Sequence, residues 1–297
     1  MLVKTRGASL FGMDAIGIQV EVNVSMGQGY CIVGLPDTAV KESLHRTEIA
    51  IKANGFQMPR TKLVINLAPA DIKKTGPAFD LPIAIGILAA SDQIINSAVL
   101  TDYLMMGELS LNGALQPIKG VLAMAIYAKE AGLAGLIIPS INAAEASLIE
   151  GLKVYAFNHL TEVTQFCNHP ELFSPFQKND LDKETAPIIY PEDFAFIKGQ
   201  FQAKRAIEIA AAGGHNLIMV GPPGAGKTLL AKTSISILPT MSHKETLETS
   251  KVYSLIGKLS PTSGLMHTRP FRNPHHSLSA IALVGGGSIP QPGEISM

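Results

Sequence analysis

The sequence has no tryptophan, and its 297 residues include only two cysteines. Cys31 and Cys167 lie far apart and make no Cys-x-x-Cys spacing. That argues against a disulfide scaffold and a thiolate zinc site, and it fits a reducing cytosol. An excess of charge of one sign is also missing: 24 Lys and Arg balance 24 Asp and Glu. No global basic field therefore advertises a polyanion partner. Long apolar runs are absent too. The longest, Leu81 to Ala90, lies between Asp80 and Asp92 and is too short to span a bilayer. The opening "MLVKTRGASLFG" lacks the continuous apolar centre of a secretory signal. Together these absences predict a cytoplasmic protein with no membrane partner.

The chain is 46% hydrophobic, enough for each of about two domains to bury a core. From Leu2 to about Asn168 strands and helices alternate, which predicts a mixed α/β unit. Strands are expected at Val3–Leu10, Gly17–Val24, Tyr30–Val33, Lys62–Leu67, Tyr103–Leu109, Gly135–Ile138 and Lys153–Phe157. Asp37 is placed to cap a helix through Lys52, which Asn54-Gly55 ends. Phe79–Ala90 reads as a buried helix. Pro117 is expected to open a helix to Ala131, and Ile141–Ile149 to form a shorter one. Residues 169–191, rich in proline and charge without a period, read as a linker. A second unit, 192–297, is expected to run helix (Gln200–Ala212), strand (Asn216–Val220), glycine turn and helix (Lys227–Leu238). A further helix is expected over His243–Ile256, and then long loops.

Charge is uneven along this second unit. From Ala186 onward, ten Lys and Arg face six Asp and Glu. Arg269, Arg272, His275 and His276 lie close together there, which suggests a loop that contacts DNA or a neighbouring subunit. Adjacent histidines in a loop are expected to point apart, and no third ligand for a metal accompanies them.

The clearest chemistry lies in "HNLIMVGPPGAGKTLLAK", His215 to Lys232. Gly221, Gly226, Lys227 and Thr228 match GxxxxGK[ST] in full. Glycines let the backbone curl so that its amides face a phosphate, and a helix beginning at Lys227 adds its positive end. The Lys227 ammonium suits the β- and γ-phosphates of ATP, and the Thr228 hydroxyl suits Mg²⁺. The whole cradle, Gly221, Pro222, Pro223, Gly224, Ala225, Gly226, Lys227, Thr228 and Leu229, is thus the expected nucleotide site.

The spelling "GPPGAGKT" is that of AAA+ ATPases. With Ile197-Lys-Gly-Gln200, Ala203-Lys-Arg-Ala206, Ala210 through Asn216 and "TRPFRNPHHSLSAIALVGGGSIPQPGEIS", the chain resembles magnesium-chelatase-like AAA+ ATPases of the ComM/YifB type. The resemblance implies a P-loop αβα sandwich, Gln200 near the adenine, and a hexameric, ATP-driven motor acting on DNA. It also implies an apolar strand ending in Asp-Glu after the cradle. The acids after Thr228 are Glu245, Glu248 and Glu294, and none ends an apolar strand. The expectation is therefore a truncated chain that binds MgATP without turning it over.

"KTGPAFDLPIAIGILAAS" and "YLMMGELSLNGALQPIKG", with Ile138-Pro139 and Asn142, resemble the Lon protease domain. That implies a Lon-like α+β fold, of the ribosomal S5 domain 2 type, for residues 1–168. Lon uses a serine–lysine pair, but the corresponding positions here hold Ala78 and Leu122. A methyl and an isobutyl group can neither attack a carbonyl nor take its proton, so no protease is expected. Two other readings stay open: a chelatase subunit inserting Mg²⁺ into a porphyrin, and a nucleotide-binding assembly module without catalysis.

Overall fold

The computed structural model describes residues 1–96, 99–177, 190, 192–259, 264–286 and 291–297. The chain opens with β1 (Leu2–Phe11), β2 (Asp14–Ser25) and β3 (Tyr30–Val33). Helix α1 (Thr38–Ala53) follows, with the Asp37 carboxylate accepting the Val40 N–H at 2.8 Å as its cap. After β4 (Lys62–Ala68) come a 3₁₀ turn at Pro77–Phe79, α2 (Asp80–Ala90), α3 (Val99–Asp102), β5 (Tyr103–Met105) and the hairpin β6 (Glu108–Leu109) with β7 (Leu115–Gln116). Then run α4 (Val121–Glu130), β8 (Gly135–Pro139), α5 (Ala143–Ala146), β9 (Val154–Phe157) and α6 (Leu160–Asn168).

Seven of these strands form one mixed sheet, in the order β3-β4-β2-β1-β5-β8-β9. The β1–β2 and β2–β4 pairs are antiparallel, and the rest are parallel. Alternation along β2 sends Ile18, Val20 and Val22 to the face covered by α2, where Gly86 abuts Val22 and Thr5. Gly17, one residue out of that register, turns to the opposite face and meets the Tyr127 hydroxyl of α4. Helices thus cover both faces. That explains why α2 is apolar all round: every one of its residues is buried between α1 and the sheet.

The structure departs from the sequence expectations at four places in this part. Tyr103–Leu109 is not one strand. It breaks after Met105: the Met106 amide makes the last bond to β8, at Ile137, and the Gly107 amide turns to Ala78 instead. The helix expected from Pro117 starts only at Val121. Asn142 holds Ile118 extended by bonding both its N–H and its carbonyl at 3.0 Å, and Gly120 takes a left-handed φ of 73°. Ile141–Ile149 resolves into a 3₁₀ turn and the four-residue α5. Much of the expected linker, 178–189 and 191, lies outside the described residues, but its first part is packed. The Phe173 ring lies 5.6 Å from Phe157 and 5.7 Å from Phe166, and the Phe176 amide bonds Val154 at 2.7 Å. Apolar side chains spaced among prolines and charges do not show a period, so this anchoring left no pattern to read.

Residues 192–297 contain α7 (Phe201–Gly213), α8 (Lys227–Thr233), α9 (His243–Leu255), α10 (Ala280–Val284) and the short pair β10 (Gly285–Gly286) with β11 (Gln291–Pro292). A small second core gathers Phe194, Ile197, Ile207 and Leu230. The expected strand Asn216–Val220 is not formed. Its backbone finds no ladder partner among the described residues, and Leu217, Ile218 and Val220 stay exposed. Strand propensity is realised only against a neighbouring strand, so an apolar β-branched run alone does not suffice. The αβα sandwich implied by the resemblance is accordingly not seen among these residues. The helix expected to reach Leu238 passes into a 3₁₀ turn at Ser234–Ile237.

Candidate nucleotide-binding site

The Gly221–Thr228 loop leads straight into α8. Gly224 and Gly226 take φ values of 78° and 83°, a region that side chains with a Cβ disfavour. These two turns curl the loop, and the N–H groups of Gly224, Gly226, Lys227, Thr228 and Leu229 make no hydrogen bond among the described residues. Ala225 N–H reaches Pro222 at 3.4 Å, and Leu230 N–H closes the first helical turn on Gly226 at 2.9 Å. The Lys227 ammonium folds back over the loop and donates to the Gly221 and Pro222 carbonyls, each at 2.7 Å. Unpaired, exposed amides around a positive charge at a helix start are the donor set that a phosphate needs. The residues present therefore fit a nucleotide's phosphate groups.

Gln200 heads α7 in a left-handed conformation with φ 53°, and its carbonyl accepts Lys204 N–H at 2.9 Å. Ile207 of α7 and Leu230 of α8 share the small second core, so the helix that Gln200 starts and the helix that Lys227 starts contribute to one cluster. Lys204 is not free to meet a ligand: its ammonium bonds the Ile197 carbonyl and sits 5.6 Å from the centre of the Phe194 ring.

The three acids after Thr228 are all engaged elsewhere. Glu245 caps α9 through Ser242 and pairs with Arg269 at 3.0 Å. Glu248 lies 3.9 Å from Lys244. Glu294 receives Arg272 in a two-pronged ion pair, Nε to Oε2 at 2.7 Å. Arg269 and Arg272 are thus held within the chain rather than standing free. The histidine rings do not point apart as expected. They lie against each other, centroids 4.1 Å apart, because His275 is turned by its bond to Ser277 at 2.7 Å.

Bonds from the Ser242 amide, then from Arg269 and the Ser242 hydroxyl, pull the Glu245 carboxyl from 4.5 down to about 2. A depressed acid stabilises the fold above its unfolded value and loses that contribution as pH falls. The start of α9 is therefore expected to loosen between pH 4.5 and about 2. Carboxyl NMR titration of Glu245 checks this, and Arg269→Ala should move the midpoint upward. An unchanged midpoint in that variant would show that Arg269 contributes nothing.

The Lon-equivalent positions are not brought together on one surface. Ala78 lines a cleft of about 570 Å³ with Asp37, Met106, Glu108, Ile118 and Lys119, whereas Leu122 is fully buried under the first turn of α4. Lys74 is buried as well and donates to the Pro69 carbonyl, and burial pulls its ammonium below the usual range. Both cysteines are free thiols, Cys31 exposed and Cys167 buried, with burial pushing Cys167 up to about 12. No helix among the described residues is long and apolar enough to cross a membrane.

A buried ion pair missing from the sequence reading stands next to this cleft. Asp80, with a wholly buried side chain, receives Arg46 Nε at 2.8 Å and Nη2 at 3.0 Å, and also the Leu109 N–H at 3.1 Å. The partners lie 34 positions apart, and no local spacing marks them.

Comparison with known protein families places these features. A model described as subunit ChlI of Mg-chelatase matches residues 20–142, and one described as magnesium chelatase, subunit ChlI, matches residues 193–297. The class is thus magnesium-chelatase-like. The chain is 43% identical over 297 residues to the YifB protein of Salmonella typhimurium, covering all of this chain and 57% of that protein. It is 44% identical over 290 residues to the competence protein ComM of Haemophilus influenzae, covering 96% of this chain and 56% of that one. The chain belongs to the magnesium-chelatase-like proteins of the ComM/YifB type. It spans little more than half the length of these relatives. More distantly, it is 26% identical over 200 residues to Lon protease 2 of Bacillus subtilis, covering 60% of this chain and 35% of the protease.

Proposed function

We propose that this chain is the MgATP-holding portion of an AAA+ motor that remodels DNA, built on a Lon-like unit without its protease. The observation that carries the nucleotide reading is the Gly221–Thr228 loop, whose unpaired amides surround a lysine already poised over them. Lys227 would hold the β- and γ-phosphates, the loop amides would wrap the β-phosphate, and Thr228 would carry Mg²⁺. Mg²⁺ supplies charge neutralisation between the phosphates. Gln200, at the head of the helix that shares the small second core with α8, would sit toward the base. Hydrolysis needs a carboxylate beside the attacking water, and Glu245, Glu248 and Glu294 are each paired elsewhere. Hydrolysis by this chain alone is therefore expected at background.

The DNA reading rests on the likeness to a competence protein. His275 and His276 would lie toward DNA or the next subunit of a hexameric ring, and Arg269 and Arg272 would join them only by exchanging Glu245 and Glu294 for that partner. The family descriptions name a chelatase subunit, but the likeness to a Lon protease favours the motor over porphyrin chemistry.

Calorimetric titration with MgATP tests the nucleotide reading. Saturable one-site binding that fails with ATP and excess EDTA is expected, with hydrolysis at background. Absence of binding at millimolar MgATP would sink it. DNA binding is read from fluorescence anisotropy against salt, since phosphate contacts give an affinity that falls linearly in log–log form. A porphyrin-dependent response without a DNA response would favour the chelatase reading instead.

A further inference from the structure

Helix α9 has two working faces. One is occupied by its own C-terminal segment: Glu245 pairs with Arg269, and the Ser250 hydroxyl accepts the Met266 N–H at 2.8 Å. The other is turned to the seven-stranded sheet and its helices. Lys251 Nζ lies 2.5 Å from Asp14 Oδ1 at the β1–β2 turn. The Ser254 carbonyl accepts the Gly120 N–H at 3.1 Å. The Ser254 hydroxyl accepts the Leu122 N–H at 3.4 Å and donates to Glu145. Leu255, nearly buried, lies against Gly120, and Leu255 and Ile256 form a wall of the cleft that Ala78 lines. Gly257 then passes along the aliphatic stem of Lys119.

Three independent kinds of contact converge at this point. The first turn of α4 has amides without intrahelical partners, and Ser254 satisfies two of them. The half-buried Glu145 carboxylate accepts both the Leu122 N–H, at 3.0 Å, and the Ser254 hydroxyl. Leu255 and Ile256 line the cleft together with Leu10, Met106, Ile118 and Met124, and Leu255 and Leu10 both lie over Gly120. Only residues 234–242 separate α9 from the helix that Lys227 begins. We infer that the cleft beside Ala78 serves as a socket for the last turn of α9, and that this contact seats the glycine-loop part of the chain on the sheet. Ala78 puts no nucleophile into this partly apolar cleft, and the chain's own helix forms one wall of it. The socket takes an internal segment, not a passing peptide. This inference stands on the packing of α9 and needs no nucleotide, so its failure and the failure of the ATP reading are separable.

A zero-length carbodiimide cross-link on the whole chain, without nucleotide, tests it. The expected product is an amide joining Lys251 to Asp14, found by mass spectrometry in the monomer band. Hydrogen exchange should show the Gly120 amide protected. In Leu255→Asp the cross-link should be lost and Gly120 exchange should rise by at least ~10-fold, while β1–β4 amides stay protected. Ser254→Ala gives a second, milder variant, in which Leu122 exchange should rise with Gly120 less affected. The wild-type cross-link needs no variant. Its absence, or an unchanged cross-link and unchanged Gly120 protection in Leu255→Asp, would overturn the socket.

Discussion

Replacing Arg46 by alanine is expected to cost about 3–5 kcal/mol of folding stability, a large share of what a domain of this size has to lose. The reason is the carboxylate left behind. The Asp80 side chain is fully buried, and its oxygens accept two prongs from Arg46 and one amide from Leu109. The same guanidinium reaches the Ala39 carbonyl at 3.2 Å and the Ser43 hydroxyl at 3.3 Å, both on its own helix, so Arg46 joins α1 to Asp80 of α2, which in turn holds β6 through the Leu109 N–H. Without Arg46 a charge stays buried with only the Leu109 amide and the Ser43 hydroxyl to meet it. Burial already pushes the Asp80 carboxyl above the usual range, while Arg46 pulls it back. Removing Arg46 leaves only Ser43 and the Leu109 amide to oppose burial.

The sign of the pH effect follows. A carboxyl whose folded pKa exceeds its unfolded one binds its proton more tightly when folded, so the penalty is present at neutral pH. It is relieved as pH falls through the folded value. The Arg46→Ala deficit should therefore be largest near pH 7 and shrink toward pH ~4. Adding Asp80→Asn should recover part of the loss, because a neutral amide is less costly to bury than an unpaired charge. Urea unfolding at two pH values checks both points. A deficit that is the same at both, with no recovery in the double variant, would mean that Arg46 acts through packing alone.

This ion pair also marks the limit of what the sequence discloses. The strands β1, β2, β3 and β4 were legible because alternation along a strand is local, as with Ile18, Val20 and Val22. The cap at Asp37 was legible because its acceptor and the Val40 amide lie three residues apart. The glycine turn at Gly221–Thr228 and the helix start at Lys227 were legible for the same reason: both are written in eight consecutive residues. What failed was whatever depends on a distant partner. Asn216–Val220 reads as a strand in isolation and finds no ladder among the described residues. Pro117 reads as a helix start, but Asn142 holds Ile118 extended from 24 positions away. The docking of Ser254 on α4 spans 132 positions and has no counterpart in any local pattern. Even within the phosphate loop, spacing gave the identity of Lys227 but not its posture over its own carbonyls.

That posture supports the second large expected effect. Lys227→Ala should weaken MgATP binding by at least ~100-fold. The ammonium already rests 2.7 Å from the Gly221 and Pro222 carbonyls, which hold it above the unpaired loop amides. Little side-chain freedom remains to be lost when it turns to a phosphate. Charge-assisted hydrogen bonds are worth about 1.5–3 kcal/mol each, so losing one or two gives roughly 3 kcal/mol, or ~100-fold. Lys227→Arg should not rescue it, because a planar guanidinium cannot stand in for a compact three-donor ammonium in a tight loop. Folding should be unchanged, since the carbonyls freed by the substitution face water. AMP is the deciding control, having neither a β- nor a γ-phosphate for the lysine to hold. If affinity for AMP drops in parallel with that for ATP, Lys227 shapes the loop. If AMP is unaffected while ATP binding collapses, the ammonium acts on the terminal phosphates, as its position over the loop indicates.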